Sequence, residues 1–170
     1  MADATKIKLG VCTVTYKGTD LGHTIGGVEV TYTPEYKEVM VDKFGKSVVE
    51  KFLVGERVKA KFSIAEWSLA NLQVAIDQAT LQGDDSVSAG SIAGKRATTK
   101  AGLLVLHPIE NAASVKDDDF SIYKATVAGS ELTLAYNNEG ERVLPVEMDG
   151  LIDENRSDGN MLFFIGDSVG

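Results

Sequence analysis

Residues 26–72, GGVEVTYTPEYKEVMVDKFGKSVVEKFLVGERVKAKFSIAEWSLANL, decide how this chain is read. After the glycine pair, residues 28–33 alternate, with Val28, Val30 and Tyr32 on one face and Glu29, Thr31 and Thr33 on the other. That period of two predicts a strand. Pro34 has no N–H to give to a ladder, so a bend or strand boundary is expected there. Residues 36–42 alternate again: Tyr36, Glu38, Met40 and Asp42 share one face, and Lys37, Val39 and Val41 the other. Neither face is cleanly apolar, which suits an exposed strand or one that meets another chain.

Residues 43–55 fit neither strand nor helix periodicity. They carry Phe44, Val48, Val49, Phe52, Leu53 and Val54 among Lys43, Lys46, Glu50 and Lys51. We expect a protruding loop or hairpin whose apolar residues need cover. That cover is either the parent domain or a neighbouring subunit. Residues 57–64 show the cleanest alternation in the chain, with Val58, Ala60, Phe62 and Ile64 inward and Arg57, Lys59, Lys61 and Ser63 outward. Ser63-Ile64-Ala65-Glu66 matches a capping box. A helix over 64–78 is predicted from it, with Leu69, Leu72, Ile76 and Ala79 on its buried face and Trp67 as an anchor to the core.

Working outward, strands are expected at 7–16, 97–107, 120–127, 131–136, 141–148 and 161–165. Turns are expected at Lys17-Gly18, Pro108, 117–119, Ala128-Gly129, 137–140 and 153–160. Residues 84–95 are polar and Gly/Ser-rich, as in a loop. The 170 residues suit a single domain over 1–170. The 17 glycines against 3 prolines fit many short strands joined by turns. The expected fold is mainly β, a sandwich or barrel with one packed helix and a protruding loop.

Charge narrows the function classes. The net charge is −8 and the pI about 4.8. Residues 1–62 carry a net +2 and residues 63–170 a net −10. Tight nucleic-acid binding calls for a basic stripe, so it is not expected here; DNA sliding past an acidic wall is compatible. No apolar run reaches the ~20 residues of a membrane helix. The first residues lack a secretory apolar stretch, so synthesis in a cytoplasm is expected.

The chemical motifs are weak. With Cys12 the single cysteine, no intrachain disulfide forms. With His23 and His107 the only histidines, a zinc site would need carboxylates. Asp153 to Phe164 has oxygen side chains at alternate positions, yet Asp158 stands where a calcium loop needs glycine and Phe164 where it needs glutamate. An acidic turn is the plainer reading. No phosphate-binding loop, dinucleotide fingerprint or nucleophile elbow occurs, so no catalytic residue, cofactor or metal is assigned, and the chain is read as a non-enzyme.

The ordered features of 26–76 resemble the major tail tube proteins of long-tailed bacteriophages. They are the Gly26-Gly27 turn, strand 28–33, Pro34-Glu35, strand 37–42, the Val54-Gly55-Glu56 step, strand 57–64, and Glu66 with Leu69 and Leu72. Residues 107–153 are similar to the second half of such proteins in strand order and turn placement alone. The resemblance implies a virion tail protein made in the host cytoplasm. It implies hexameric rings stacked into a tube that conducts DNA during ejection without binding it specifically. Its partners would be copies of itself, tape-measure and tube-end proteins, with no membrane. Lys43, Phe44, Gly45, Lys46, Val49, Phe52 and Leu53 would contact the next subunit or ring, and Glu29, Glu38 and Asp42 would face the lumen. Two other readings stay open: the ring protein of a contractile secretion tube, and, in another class, a β-sandwich carbohydrate-binding or adhesin domain.

Overall fold

The computed structural model describes residues 8, 10–83, 85–129, 131–136 and 140–167. In chain order the elements are β1 (Cys12–Tyr16), β2 (Thr19–Asp20), β3 (Thr24–Met40), β4 (Val48–Ile64), α1 (Leu69–Ala75), β5 (Thr80–Gln82), β6 (Ser86–Ser88), β7 (Gly102–Pro108), β8 (Phe120–Val127), β9 (Leu144–Leu151) and β10 (Phe163–Ile165). Eight strands form one sheet in the order β2-β1-β7-β8-β9-β4-β3, with β10 added beside β8; β5 and β6 form a second, two-stranded sheet. Every described pairing is antiparallel.

The large sheet is not closed into a barrel: β2 stands at one edge and β3 at the other. The barrel form of the expectation is therefore corrected, while a mainly β fold with one packed helix among the described residues holds. The core lies on the face that alternation had turned inward. Val58, Ala60 and Ile64 of β4, Ile122 and Ala125 of β8, and Leu144 and Met148 of β9 are all at most 1% exposed. Gly150 of β9 lies where a Cβ would come within 2.3 Å of Val58 Cγ1 and 2.9 Å of Ile122 Cγ2. The close approach of these strands therefore needs glycine there.

The helix is shorter than the sequence pattern suggests and starts later. β4 continues through Ser63 and Ile64, which pair with Pro145 and Leu144 of β9, so Ser63 has no helix to cap. Ser68 is the N-cap instead, its Oγ accepting from the Asn71 N–H at 3.1 Å. Ladder hydrogen bonds and the burial of Ile64 outweigh a local capping pattern. Asn71 is buried, and its side-chain amide donates to the carbonyls of Leu21 and Glu66, which fastens α1 to the loop before β3 and to the loop before α1 itself.

Other expectations shift in the same way. Residues 97–99 form a 3-10 turn, and the strand expected from 97 starts at Gly102. Residues 131–136 are not a strand. The polar stretch read as a loop begins inside a small β5–β6 hairpin, although Asp84 itself lies outside the described residues. The start of the 7–16 strand at Ile7 and most of the expected 137–140 turn also lie outside them.

Candidate functional site

The longest elements of the chain are β3 and β4, and together they make a hairpin that outruns the rest of the sheet. β4 pairs with β9 only from Lys59 to Ile64. Beyond that point β3 and β4 pair only with each other among the described residues, out to Met40 opposite Val48. Residues 36–53 are thus a two-stranded arm with a tip at 41–47. A 3-10 turn over Asp42–Phe44 closes the tip, and Gly45 follows with φ 61°, a left-handed conformation that suits glycine.

Of the two forms expected over 43–55, a protruding loop or a hairpin, the structure has the hairpin: these residues comprise its tip plus the outer half of β4. The reason they looked aperiodic is physical. The arm has no core beneath it, so nothing demands an apolar face. Bulges also interrupt the register between Glu35 and Tyr36 and between Val39 and Met40, leaving Val54 and Val49 as the extra residues on β4. Pro34 is also not a boundary. It sits within β3 opposite Glu56, and β3 is the sheet edge, where a missing N–H leaves no neighbour unsatisfied.

The arm is apolar and exposed. Tyr36, Met40, Phe44, Phe52, Leu53 and Val54 are each 50–62% exposed, and Val48 and Val49 stand with them. This is a concentration of large side chains that water would normally drive inward. Its charges are interleaved: Lys51 pairs with Glu38 at 2.8 Å, while Lys43 lies over the Phe44 ring at 5.6 Å. Of the residues the sequence pointed to, Lys43, Phe44, Gly45 and Lys46 gather at the tip, and Val49, Phe52 and Leu53 follow on the outer half of β4. Tyr36 and Met40 of β3 add to the exposed apolar area of the arm, Tyr36 directly opposite Leu53, and were missed because alternation gave them no distinct signal.

Nearer the body, one face of the β3–β4–β9 ladder carries alternating charges. Glu147 accepts from Lys59 at 2.9 Å and lies 3.3 Å from Lys61, and Arg57 meets Glu35 at 3.1 Å. The Lys59 hydrogen bond holds the Glu147 carboxyl below the usual carboxylate range, and the same bond raises the Lys59 ammonium. Glu29 stands on this face opposite Lys61. Glu38 does not. β3 runs without insertion from Val28 to Met40, so Glu29 and Glu38, an odd number of positions apart, point to opposite faces. Asp42 is at the tip, its carbonyl accepting from the Gly45 N–H. The acidic trio therefore does not form one surface within a single chain.

The remaining residues of interest have structural partners. Cys12 is half-buried, and burial raises its thiol, which makes it a poor nucleophile. His107 Nδ1 lies 2.6 Å from Asp119 Oδ1, and Asp118 binds Lys8 and Asn111. Asp153 binds Lys124 at 2.8 Å and caps its own turn at Asn155. Among the described residues, no group of three or more His, Cys, Asp or Glu is arranged to hold a metal ion. Trp67 is half-buried against the core, edge-on to Tyr136, and the Arg142 guanidinium lies 4.6 Å from both ring centroids.

Compared with protein-family models and with curated proteins, the chain matches none.

Proposed function

We propose that this chain is the structural subunit of a tube, assembled through its β3–β4 arm as stacked hexameric rings around a lumen that passes DNA. The observation that carries the assembly part is the arm itself: a hairpin without a core, rich in exposed large apolar side chains, on an edge strand with an unpaired ladder. Ring number, tube form and cargo rest on the resemblance of residues 26–76 to phage tail tube proteins.

The energetics fit a polymer rather than a tight dimer. Phe44, Val49, Phe52 and Leu53 keep 55%, 43%, 58% and 50% of their surface in water. Fully burying such a side chain contributes ~1.5–3 kcal/mol, so covering the remaining half of four gives roughly 4 kcal/mol per arm before ordering costs. One arm is then a weak contact. A ring of arms engaged together is a strong one, because each later contact forms at high effective concentration. The net charge of −8 disfavours tight binding of DNA by the subunit as a whole, which is compatible with transit.

Negative-stain microscopy of the purified protein at low and high concentration tests this. Uniform rings or tubes at high concentration are expected. A monomer at every concentration, with the arm protected from proteolysis, would show that the arm serves the chain's own domain.

A further inference from the structure

Two non-glycine residues among those described have a left-handed backbone, Lys17 with φ 53° and Gln78 with φ 56°. They are distant in sequence and line the same cavity, of about 240 Å³, between the end of α1, the β1–β2 turn and β8. Such a conformation costs of order 1–3 kcal/mol in a non-glycine residue and tends to persist where a site needs it. In the Lys17-Gly18 turn, the first position ordinarily takes asparagine, aspartate or glycine. Lysine there keeps a long cationic side chain at a place that backbone preference argues against.

The side chain is also given room. Its stem crosses Gly102, where a Cβ would lie 2.4 Å from Lys17 Cγ. Lys100 lines the same cavity and donates to the Ala79 carbonyl at 3.0 Å. Among the described residues, no carboxylate forms an ion pair with either ammonium. Lys17 is exposed, yet partial burial, and then the charge of Lys100, lower its ammonium from its ordinary value, as expected of two neighbouring cations. Asp77 is the acidic residue of the lining, and it disfavours a multiply charged guest. Leu21, Val74, Ile76 and Val127 supply apolar wall.

We propose that this cavity is a binding site for a small monocarboxylate with an apolar body, its carboxylate held between Lys17 and Lys100. The apolar body lies against Leu21, Val74 and Val127. The site is independent of the arm and of the tube reading.

The test is titration of the full chain, below the concentration at which it assembles, with benzoate, benzamide and inorganic phosphate. Calorimetry and amide chemical shifts provide the readout. Benzoate is expected to bind and to shift the amides of residues 16–19, 76–79 and 100–102. Benzamide is expected to bind at least about tenfold more weakly, the loss of one charge-assisted contact, and phosphate at least as weakly, because it has no apolar body and its second charge faces Asp77. Lys17→Met and Lys100→Met should each weaken benzoate by about tenfold with an unchanged circular dichroism spectrum, and Lys17→Arg should retain most of the affinity. Equal binding of benzoate and benzamide by the unaltered protein overturns the proposal, as does phosphate binding that matches benzoate.

Discussion

The Glu66 carboxylate meets His23 twice, 3.0 Å from its backbone N–H and 2.7 Å from its Nδ1. This contact ties the loop before β3 to the loop before α1, and the Ala65 N–H donating to the His23 carbonyl at 2.7 Å closes the same joint. Gly22 lies beneath it, where a Cβ would come within 2.2 Å of the Glu66 carboxyl carbon. The glutamate that looked like part of a capping box thus holds two loops together instead.

The joint makes acid stability depend on Glu66. The His23 side-chain hydrogen bond, then its backbone hydrogen bond, hold the Glu66 carboxyl below its ordinary value. A carboxyl depressed in the folded state stabilises fully above its unfolded value, about 4.3, and the contribution is lost as pH falls through the lower folded value. Glu66→Gln is therefore expected to melt below the unaltered protein at pH 7, with the gap closing below about pH 4. An equal gap at pH 7 and pH 3 in thermal melts would remove this carboxylate from the account.

Replacing Phe52 and Leu53 with serine separates assembly from folding. Both side chains are at least 50% exposed, so the substitutions are expected to change unfolding free energy by no more than about 0.5 kcal/mol each. Tube growth, followed by sedimentation and microscopy, is expected to stop. Continued growth would show that the arm is not the stacking element.

Gly150→Ala tests the packing of β4 against β8 through β9. The added methyl meets Val58 and Ile122, both at most 1% exposed and unable to move aside cheaply. A loss of about 1–3 kcal/mol in urea unfolding is expected. A neutral result would mean that the strands stand further apart than described.

Tyr16 offers a test at the alkaline end. Its hydroxyl lies within hydrogen-bonding reach of two carbonyls, Lys100 at 2.7 Å and Ala125 at 3.1 Å, which share its one proton, and burial pushes the phenol up to about 12. A phenol raised in the folded state stabilises fully below its unfolded value, about 10, and the contribution is lost as pH rises from there to about 12. Tyr16→Phe is expected to cost about 1 kcal/mol at pH 7, with the difference shrinking above pH 10. In an ultraviolet titration one tyrosine of the five should ionise only near 12. Ionisation of all five near pH 10 in the folded protein would contradict the burial of Tyr16.

The sequence by itself determined the elements whose side chains must choose between water and a core. Val58, Ala60, Phe62 and Ile64 alternate because every second position of β4 from Val58 onward is buried, and 120–127 was legible as β8 for its dense apolar and β-branched content. Only the tertiary structure decided the rest. Residues 48–54 are a strand because β3 lies beside them, not because of any face they present. Residues 63–64 remain strand because β9 pairs with them, which moves the helix cap to Ser68. Glu29 and Glu38 are separated by the parity of an uninterrupted strand, and Lys17, Lys100 and Gln78 are gathered by packing across long sequence distances. Local pattern records burial against the chain's own core. Pairing partners, bulges and cavities arise from contacts between distant segments, which no window of sequence contains.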